Sequence, residues 1–274
     1  MSFVGGWKKA SLYDPATGDV AQINKIATEH SEWVDEPMRT EHTKGALYGG
    51  TENRATVGFF ESDTALLNKI EDWQDGNTPL CLVIVGEQGN VIWHKPRSVH
   101  FVRNIGTDAR TGLETHLISL ESFGVPDKIW SGVNLLNGFA HVHGFDYGWS
   151  DENPNADGIA SGWESGVTGT FANNEQTIDG DMYIEAVFPV SGVDLRGKVA
   201  VLSSAGTYNN YILQNDYDDV ELSSDSESAG TLVSGVTQSG IWKIRFGIEQ
   251  TASGDITFKN PFMRVDKKDR YVRY

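Results

Sequence analysis

The stretch SDTALLNKIEDWQD at residues 62–75, followed closely by the apolar run LCLVIV at residues 80–85, decides the class of fold. Ser62 or Asp63 can cap the first turn of a helix, and Gly76 stands where a left-handed C-terminal cap is expected. Apolar side chains recur in it at helical spacing, namely Leu66, Leu67, Ile70 and Trp73. The pattern predicts a helix over Ser62–Asp75. A helix this short is not stable alone in water, so we expect it to pack on a sheet.

The sequence on both sides of this helix indicates strands. Short runs rich in apolar and β-branched residues are bounded by turn residues, at Val20–Ala27, Arg54–Glu61, Leu80–Val85, Val91–His94, Ser98–Asn104 and Leu113–Glu121. The segment Gly86–Asn90 reads as a hairpin turn. Residues 1–128 are therefore predicted to form an α+β domain, an antiparallel β-sandwich or barrel with one helix on its face.

Residues 28–53 differ from the rest of this half. Charged residues alternate with few apolar ones, and neither a period of 2 nor a period of 3.6 is present. An irregular segment of this length is unusual inside a compact domain. Two interpretations stay open: a mobile loop, or an arm that becomes ordered on a neighbouring subunit through Trp33, Arg39 and Tyr48.

The second half, residues 134–274, has no helical pattern. Strand-like runs are separated by Gly, Ser, Asn and Asp at fairly even spacing, which is typical of an all-β sandwich. These runs are Asp181–Phe188, Lys198–Ser203, Asn210–Asn215, Val220–Leu222, Gly230–Val236, Ile241–Ile248 and Asp255–Val265. The segment Phe123–Val133 contains Gly124, Pro126 and Gly132, and the pattern changes after it. We therefore expect a domain boundary there.

Charge and composition exclude several classes of function. The formal net charge is −16, which argues against ordinary nucleic-acid binding. Solubility is the simpler interpretation, and a surface past which DNA moves without adhering is the other. No apolar run approaches the ~20 residues that span a bilayer, so no membrane partner is expected. Met1–Lys9 lacks the apolar core of a signal peptide. The single cysteine, Cys81, offers no disulfide framework.

The second half carries a resemblance. The segments NLLNGF (134–139), GWE (162–164), SGIWKIRF (239–246) and GDITFKNPFMRV (254–265) resemble the opening and closing strands of jelly-roll carbohydrate-binding modules. The resemblance implies a jelly-roll sandwich over residues 134–274, with Trp163 and Trp242 in its core. It also implies a structural calcium site near the first and last strands, and sugar binding through exposed aromatic rings.

The first half is similar to the tail-tube fold of long-tailed bacteriophages in its order of elements: strand, arm-like loop, strand, one helix, strand meander. That resemblance implies a subunit of a hexameric ring that stacks into a tube, with DNA passing through the lumen without specific binding. The partners would be copies of itself and other tail proteins, with the sandwich displayed outside and a host-surface glycan as a further partner. The protein would belong to the virion tail and assemble in the host cytoplasm. Baseplate hub and tail-terminator proteins share the fold.

No catalytic motif is present in the sequence. It lacks a nucleophile elbow, a phosphate-binding loop, a zinc-protease motif and a dinucleotide fingerprint, so no catalytic residue and no enzymatic activity are predicted. His141 and His143 would lie on one face of a strand, either as a metal pair or as solvent-facing side chains. A structural calcium ion is the one cofactor that the resemblance suggests, and its candidate ligands by type are Asp146, Asp151 and Asp266, with Asn153 and Asp157 nearby.

Sugar binding needs flat, accessible aromatic rings with polar neighbours. The candidates are those expected in loops or at loop ends: Tyr147, Trp149, Tyr208, Tyr211 and Tyr217. Burial within the domain or between subunits is the competing interpretation for each of them. Three functions therefore compete: a structural tail-tube protein, a glycan-binding tail or baseplate protein, and a glycan-active enzyme with an accessory module.

Overall fold

The structure is a computed structural model. It describes residues 7–23, 26–38, 47–86, 89–107, 113–123, 128–131, 135–136, 156–215 and 221–266. Within the strands, only the backbone is described for residues 7–8, 27–38, 47–54, 90, 95, 121–123, 128–131, 186, 215 and 221–225. The chain divides into two compact units: residues 1–87 with 91–129, and residues 88–90 with 130–274.

The described residues up to 131 form nine strands and one helix, α1 (Thr64–Asp75), and the last of these strands crosses the division between the two units. The strands are β1 (Trp7–Tyr13), β2 (Val20–Ile23), β3 (Ile26–Met38), β4 (Leu47–Phe60), β5 (Leu80–Gly86), β6 (Asn90–Arg97), β7 (Val99–Thr107), β8 (Glu114–Phe123) and β9 (Lys128–Ser131). They form two sheets, sheet A in the order β2-β1-β5-β6-β9 and sheet B in the order β3-β4-β8-β7. The predicted antiparallel sandwich with a single helix is confirmed for this part of the chain.

The core of the first unit lies where the helix and alternate residues of both sheets meet. Leu67, Ile70 and Trp73 are buried in it, and Leu66 is partly buried against it. The sheets contribute every second residue, including Leu80, Leu82 and Ile84 of β5 and Ala55, Val57 and Phe59 of β4. Since successive residues of a strand point to opposite faces, this alternation identifies the inner face of each sheet.

The helix begins two residues later than predicted and ends at Asp75 as predicted, but its C-terminal cap has a different conformation. It begins at Thr64, because the Asp63 carboxylate accepts hydrogen bonds from the Ala65 and Leu66 amides at 2.9 and 3.4 Å and acts as the cap. At the other end Gly76 keeps a right-handed conformation, with φ at −74°. Asn77 takes the left-handed conformation instead, with φ at 50°. The Thr78 amide donates a hydrogen bond to the Trp73 carbonyl, which closes the turn.

The largest correction concerns residues 28–53. The sequence predicted an irregular segment there, but its described residues are the long paired strands β3 and β4. The sequence pattern did not predict these strands, because a period of 2 appears only where one face of a strand is buried. Trp33 and Tyr48 lie on these strands, in the part where only the backbone is described, and Arg39 lies outside the described residues.

The second unit is a β-sandwich over residues 156–215 and 221–266. Its strands are β10 (Glu164–Ser165), β11 (Gly169–Ala172), β12 (Glu175–Ile178), β13 (Met182–Val187), β14 (Asp194–Ser204), β15 (Thr207–Asn215), β16 (Glu221–Ser228), β17 (Val233–Val236), β18 (Lys243–Ala252) and β19 (Ile256–Val265). They form sheet C, in the order β10-β13-β18-β15-β16, and sheet D, in the order β11-β12-β19-β14-β17.

Buried aromatic and aliphatic side chains fill this second sandwich. Trp163 is buried and meets the ring of Phe246 edge-on, with centroids 6.1 Å apart. Trp242, which the resemblance placed in the core, is only partly buried. The Gln176 side chain is fully buried, and its amide bonds to the Ala160 nitrogen and the Gly158 oxygen at 2.9 and 3.0 Å. These contacts hold the segment that precedes β10 against strand β12.

Candidate functional site

Two features of the described residues suggest recognition: the long β3–β4 hairpin of the first unit and a charged aromatic cluster on the outer face of sheet C. The hairpin is paired from Ile26 opposite Phe59 to Met38 opposite Leu47. Strand β8 covers β4 only from Glu52 to Phe60. The hairpin therefore continues past sheet B for the five residues of Leu47–Thr51. At about 3.4 Å per residue, that overhang is roughly 17 Å long.

The overhanging part has open edges. Strand β3 is the edge strand of sheet B, and no strand among the described residues pairs with its outer side. The Leu47–Thr51 part of β4 also has no second neighbour in that portion of the chain. Unpaired backbone N–H and C=O groups on a long edge form a template for a strand of another chain. The arrangement can thus add to the sheet of a neighbour.

The second feature centres on Glu185 of β13. Its carboxylate binds Lys243 and accepts two hydrogen bonds from the Arg245 guanidinium, at 3.0 and 3.1 Å. The guanidinium carbon lies 4.2 Å from the centroid of the Tyr183 ring. The Tyr183 hydroxyl in turn donates to Glu164 at 2.7 Å. We call these five residues the sheet C cluster.

Strand register places this cluster on one face. Glu185 stands opposite Arg245, and Tyr183 stands opposite both Gly247 and Glu164. Their chain neighbours Ile184, Ile244 and Phe246 are buried, so the cluster faces outward. The hydrogen bond to Glu164, together with burial, raises the pKa of Tyr183 above its ordinary value. The cluster therefore keeps a neutral phenol beside fixed charges at neutral pH.

The aromatic residues predicted for sugar binding fall into two groups. Tyr208 and Tyr211 lie within β15 and not at loop ends, and they are 3% and 8% exposed, which agrees with burial within the domain and not with accessible sugar-binding rings. The Tyr208 hydroxyl accepts from Gln250 at 2.8 Å and donates to the Gly254 carbonyl. Strand formation buries both rings, an effect that turn residues nearby do not reveal. Tyr147, Trp149 and Tyr217 lie outside the described residues.

The predicted calcium ligands are not brought together in the described part of the chain. Asp266 binds the Arg196 guanidinium at 2.9 Å, so its carboxylate is already paired with a cation. The Asp157 carboxylate accepts from the Ile159 amide at 3.1 Å. Asp146, Asp151, Asn153, His141 and His143 lie outside the described residues. Among the residues that are described, no group of three His, Cys, Asp or Glu side chains could hold a metal ion.

The sequence alone did not identify the sheet C cluster. Glu164, Tyr183, Glu185, Lys243 and Arg245 are spread over more than 80 positions, and only strand pairing brings them together. An alternation of charged and apolar residues in KIRF (243–246) was the available signal, because it marks an outward-facing pair of cations.

Among the residues that the structure describes, none of the helices has the length and apolar character of a membrane span.

Comparison with known proteins gives distant likenesses only. No protein-family model matches the chain, and no curated protein matches it in sequence. A solved structure of the phage P2 baseplate in its activated conformation with calcium has a TM-score of 0.27 and 9% identity, over 94% of this chain and 98% of that one. The SPP1 Dit protein, a paradigm of the hub adsorption apparatus in phages that infect Gram-positive bacteria, has a TM-score of 0.22 and 9% identity. The match covers 93% of this chain and 98% of that one.

A carbohydrate-binding module of the β-sandwich superfamily has a TM-score of 0.26 and 12% identity, over 96% of this chain and 95% of that one. These three are a phage baseplate, a phage hub protein and a carbohydrate-binding module. TM-scores this low do not establish a shared fold.

Proposed function

We propose that this protein is a structural component of a bacteriophage tail that assembles with copies of itself into rings. One observation carries the proposal: the β3–β4 hairpin, which continues past sheet B with open backbone edges. A monomer gains little from such an extension, whereas a ring gains a strand-to-strand contact at every interface. A heterologous contact of this kind closes into a ring or continues into a filament.

The remaining features agree with this role. The net charge of −16 would keep a ring's lumen from adhering to DNA that passes through it. The helix, which covers the sheets through Leu67, Ile70 and Trp73, would lie on the outside of the ring. The second unit would then be a displayed sandwich, and other tail proteins would be further partners. The baseplate and hub proteins named above belong to the same class of assembly, although their TM-scores add no weight.

Electron microscopy of the purified full chain tests the proposal. We expect closed rings, with six-fold symmetry and stacking if the protein forms a tail tube, or single rings if it forms a hub. A variant in which Asn-Gly replaces residues 36–50 removes the overhang and leaves the Asp35–Thr51 pair to close the hairpin. This variant should stay folded and monomeric. Wild-type protein that stays monomeric at all concentrations, or a variant that assembles equally well, would refute the proposal.

Glycan binding is the second candidate function, and the sheet C cluster favours it. The Tyr183 ring stacks with the Arg245 guanidinium and lies near the carboxylates of Glu164 and Glu185. This arrangement offers an apolar surface together with groups that can hydrogen-bond sugar hydroxyls. A glycan array with the full chain and with Tyr183→Ala tests it, and Tyr211→Phe serves as the control for general damage. Binding that survives Tyr183→Ala, or no binding to any neutral glycan, would exclude this site.

A further inference from the structure

The outer face of sheet D concentrates positive charge in an acidic protein. The described part of the second unit, residues 156–215 and 221–266, contains 13 acidic and six basic residues. Two of the six, Lys243 and Arg245, bind Glu185 in sheet C. The other four all belong to sheet D: Arg196, Lys198, Lys259 and Arg264. The strands of sheet D thus hold four cations and two carboxylates, Glu175 and Asp194, whereas the strands of sheet C hold two cations and six carboxylates.

Strand register shows that these four cations share one face. Arg196 stands opposite Arg264, Lys198 opposite Phe262, and Ala200 opposite Lys259. Directly opposed residues of antiparallel strands project to the same side. The intervening residues Leu195, Val199, Met263 and Val265 are buried, so this side is the outer one. The cations occupy three successive rows, spaced roughly 7 Å apart along the strands.

Two of these cations have no carboxylate among the described residues to neutralise them. Arg196 binds Asp266 at 2.9 Å and lies 3.6 Å from Asp194, and Lys259 lies 3.9 Å from Glu175. Lys198 and Arg264, in contrast, form no ion pair with any described carboxylate. Because Arg196 and Lys259 already lie close to carboxylates, Lys198 and Arg264 are the cations of this face that remain for a bound anion.

An aromatic ring lies among the cations. Phe262 is partly exposed on the same face, and the Arg264 guanidinium carbon lies 5.6 Å from its ring centroid. A polyanion without apolar parts would use the cations only. A linear acidic sugar polymer uses both features, because the apolar face of a sugar ring packs on Phe262 while its anionic groups meet the cationic rows.

We propose that the outer face of sheet D, formed by Arg196, Lys198, Lys259, Arg264 and Phe262, binds a linear acidic polysaccharide. The net charge of −16 does not prevent this, because charge at a distance is screened over about 8 Å at physiological ionic strength. Contact is then governed by the local positive face. The site is distinct from the sheet C cluster, and it does not depend on assembly into rings.

The test is a binding titration of the full chain with fluorescently labelled polygalacturonate, at about 50 and about 200 mM salt. Wild-type protein should bind at low salt and lose several-fold in affinity at high salt. The variant Lys198→Gln/Arg264→Gln should bind about tenfold more weakly or worse, since it removes the two cations that no described carboxylate neutralises. Unlabelled dextran, a neutral polymer, should not compete.

Matched variants separate binding at this face from a general effect of net charge, from glycan binding at sheet C and from misfolding. Ala252→Glu/Ser253→Glu changes the net charge by the same two units in the exposed β18–β19 turn and should leave binding unchanged. Tyr183→Ala tests whether polygalacturonate binds at the sheet C cluster instead, and loss of binding in this variant would contradict a site on sheet D. Lys198→Arg preserves the charge and should keep binding, which guards against misfolding of the glutamine variant.

Four outcomes would overturn the proposal. The first is no polygalacturonate binding at the lower salt concentration, and the second is binding that Lys198→Gln/Arg264→Gln leaves intact. The third and fourth are an affinity for poly-L-glutamate, or for single-stranded oligo-dT, equal to that for polygalacturonate. Either would show that the face binds an acidic polypeptide or a nucleic acid as well as it binds a sugar polymer. Phe262→Ala gives a further criterion, because it should weaken polygalacturonate binding and leave poly-L-glutamate binding unaffected.

Discussion

His116 shows how one buried polar side chain holds an edge of sheet B. Its ring is fully buried beside Phe59 and Phe101. One ring nitrogen accepts from the Asn104 amide at 3.0 Å, and the other lies 3.2 Å from the Glu61 carbonyl. These contacts assign the ring to a neutral tautomer that donates from Nε2. The side chain therefore satisfies two backbone groups that would otherwise be unpaired.

We expect His116→Phe to destabilise the protein by about 2–3 kcal/mol, because it leaves the Asn104 amide and the Glu61 carbonyl without partners. Urea unfolding measures the change. The control is His100→Phe, at an exposed position of β7, which should shift stability by less than about 0.5 kcal/mol. Equal effects of the two substitutions would show that the hydrogen bonds of His116 contribute nothing.

Tyr211 predicts a dependence of stability on alkaline pH. Burial raises its pKa in the folded state. The unfolded phenol ionises near pH 10, so this stabilisation is complete below about pH 10 and is lost as pH rises above it. The loss can reach about 1.4 kcal/mol per pH unit. Tyr211→Phe should unfold with a shallower decline between about pH 10 and 12, measured by urea midpoints, and an unchanged slope would contradict the assignment.

At the scale of elements, α1 is tied to its surroundings at several points. Lys69 binds Asp19 at 3.0 Å, and Arg103 of β7 binds Glu71 at 3.0 Å and Asn68 at 3.1 Å. Strand β7 breaks register between Val102 and Gly106, where Asn104 has φ at 56°. A bulge on an edge strand disfavours pairing with another chain. Sheet B is thus protected at β7. Strand β3 also breaks register, between Ile26 and Thr28 and between Asp35 and Pro37, but no described strand pairs with its outer side.

The helix cap gives a prediction for this element. Asp63→Ala removes the carboxylate that accepts from the Ala65 and Leu66 amides, and it should cost about 1 kcal/mol of stability. Ser62→Ala is the control, because the first predicted cap residue lies before the helix in the structure and should matter little. Urea unfolding of both variants decides between the two positions. A larger loss for Ser62→Ala would contradict the observed cap.

At the scale of the whole molecule, the chain is two compact units, and the division between Ile129 and Trp130 falls inside the predicted boundary segment Phe123–Val133. Whether the units fold independently stays a prediction. The cores suggest that they do, since the helix and sheets A and B enclose one set of buried residues and sheets C and D another.

We therefore expect Ile70→Asp, which places a charge in the first core, to unfold the first unit and leave the second folded. Limited proteolysis followed by mass spectrometry should then recover a fragment covering sheets C and D. The matching control is Asn68→Asp on the polar side of the helix, which should leave both units resistant to proteolysis. Loss of both units together would contradict independent folding.

Much of the fold was predictable because it depends on local interactions. A capped apolar stripe predicts α1 wherever it packs, and the Asp14 turn is stabilised by bonds between residues close in sequence. Alternating apolar residues also predicted most strands of the second unit. Strands β10 to β12 were missed, since they are short and their alternation rests on buried polar residues such as Gln176.

Local patterns specify the amphipathic helix, its adjoining apolar strand and the change of pattern near the middle of the chain, because each depends on neighbours within a few residues. The long hairpin over most of residues 28–53 and the burial of Tyr208 and Tyr211 appear only in the folded chain. The same holds for the outer face of sheet D, where cations distant in sequence lie side by side. All of these depend on strand register and sheet order, which arise from contacts between distant segments that local patterns do not encode.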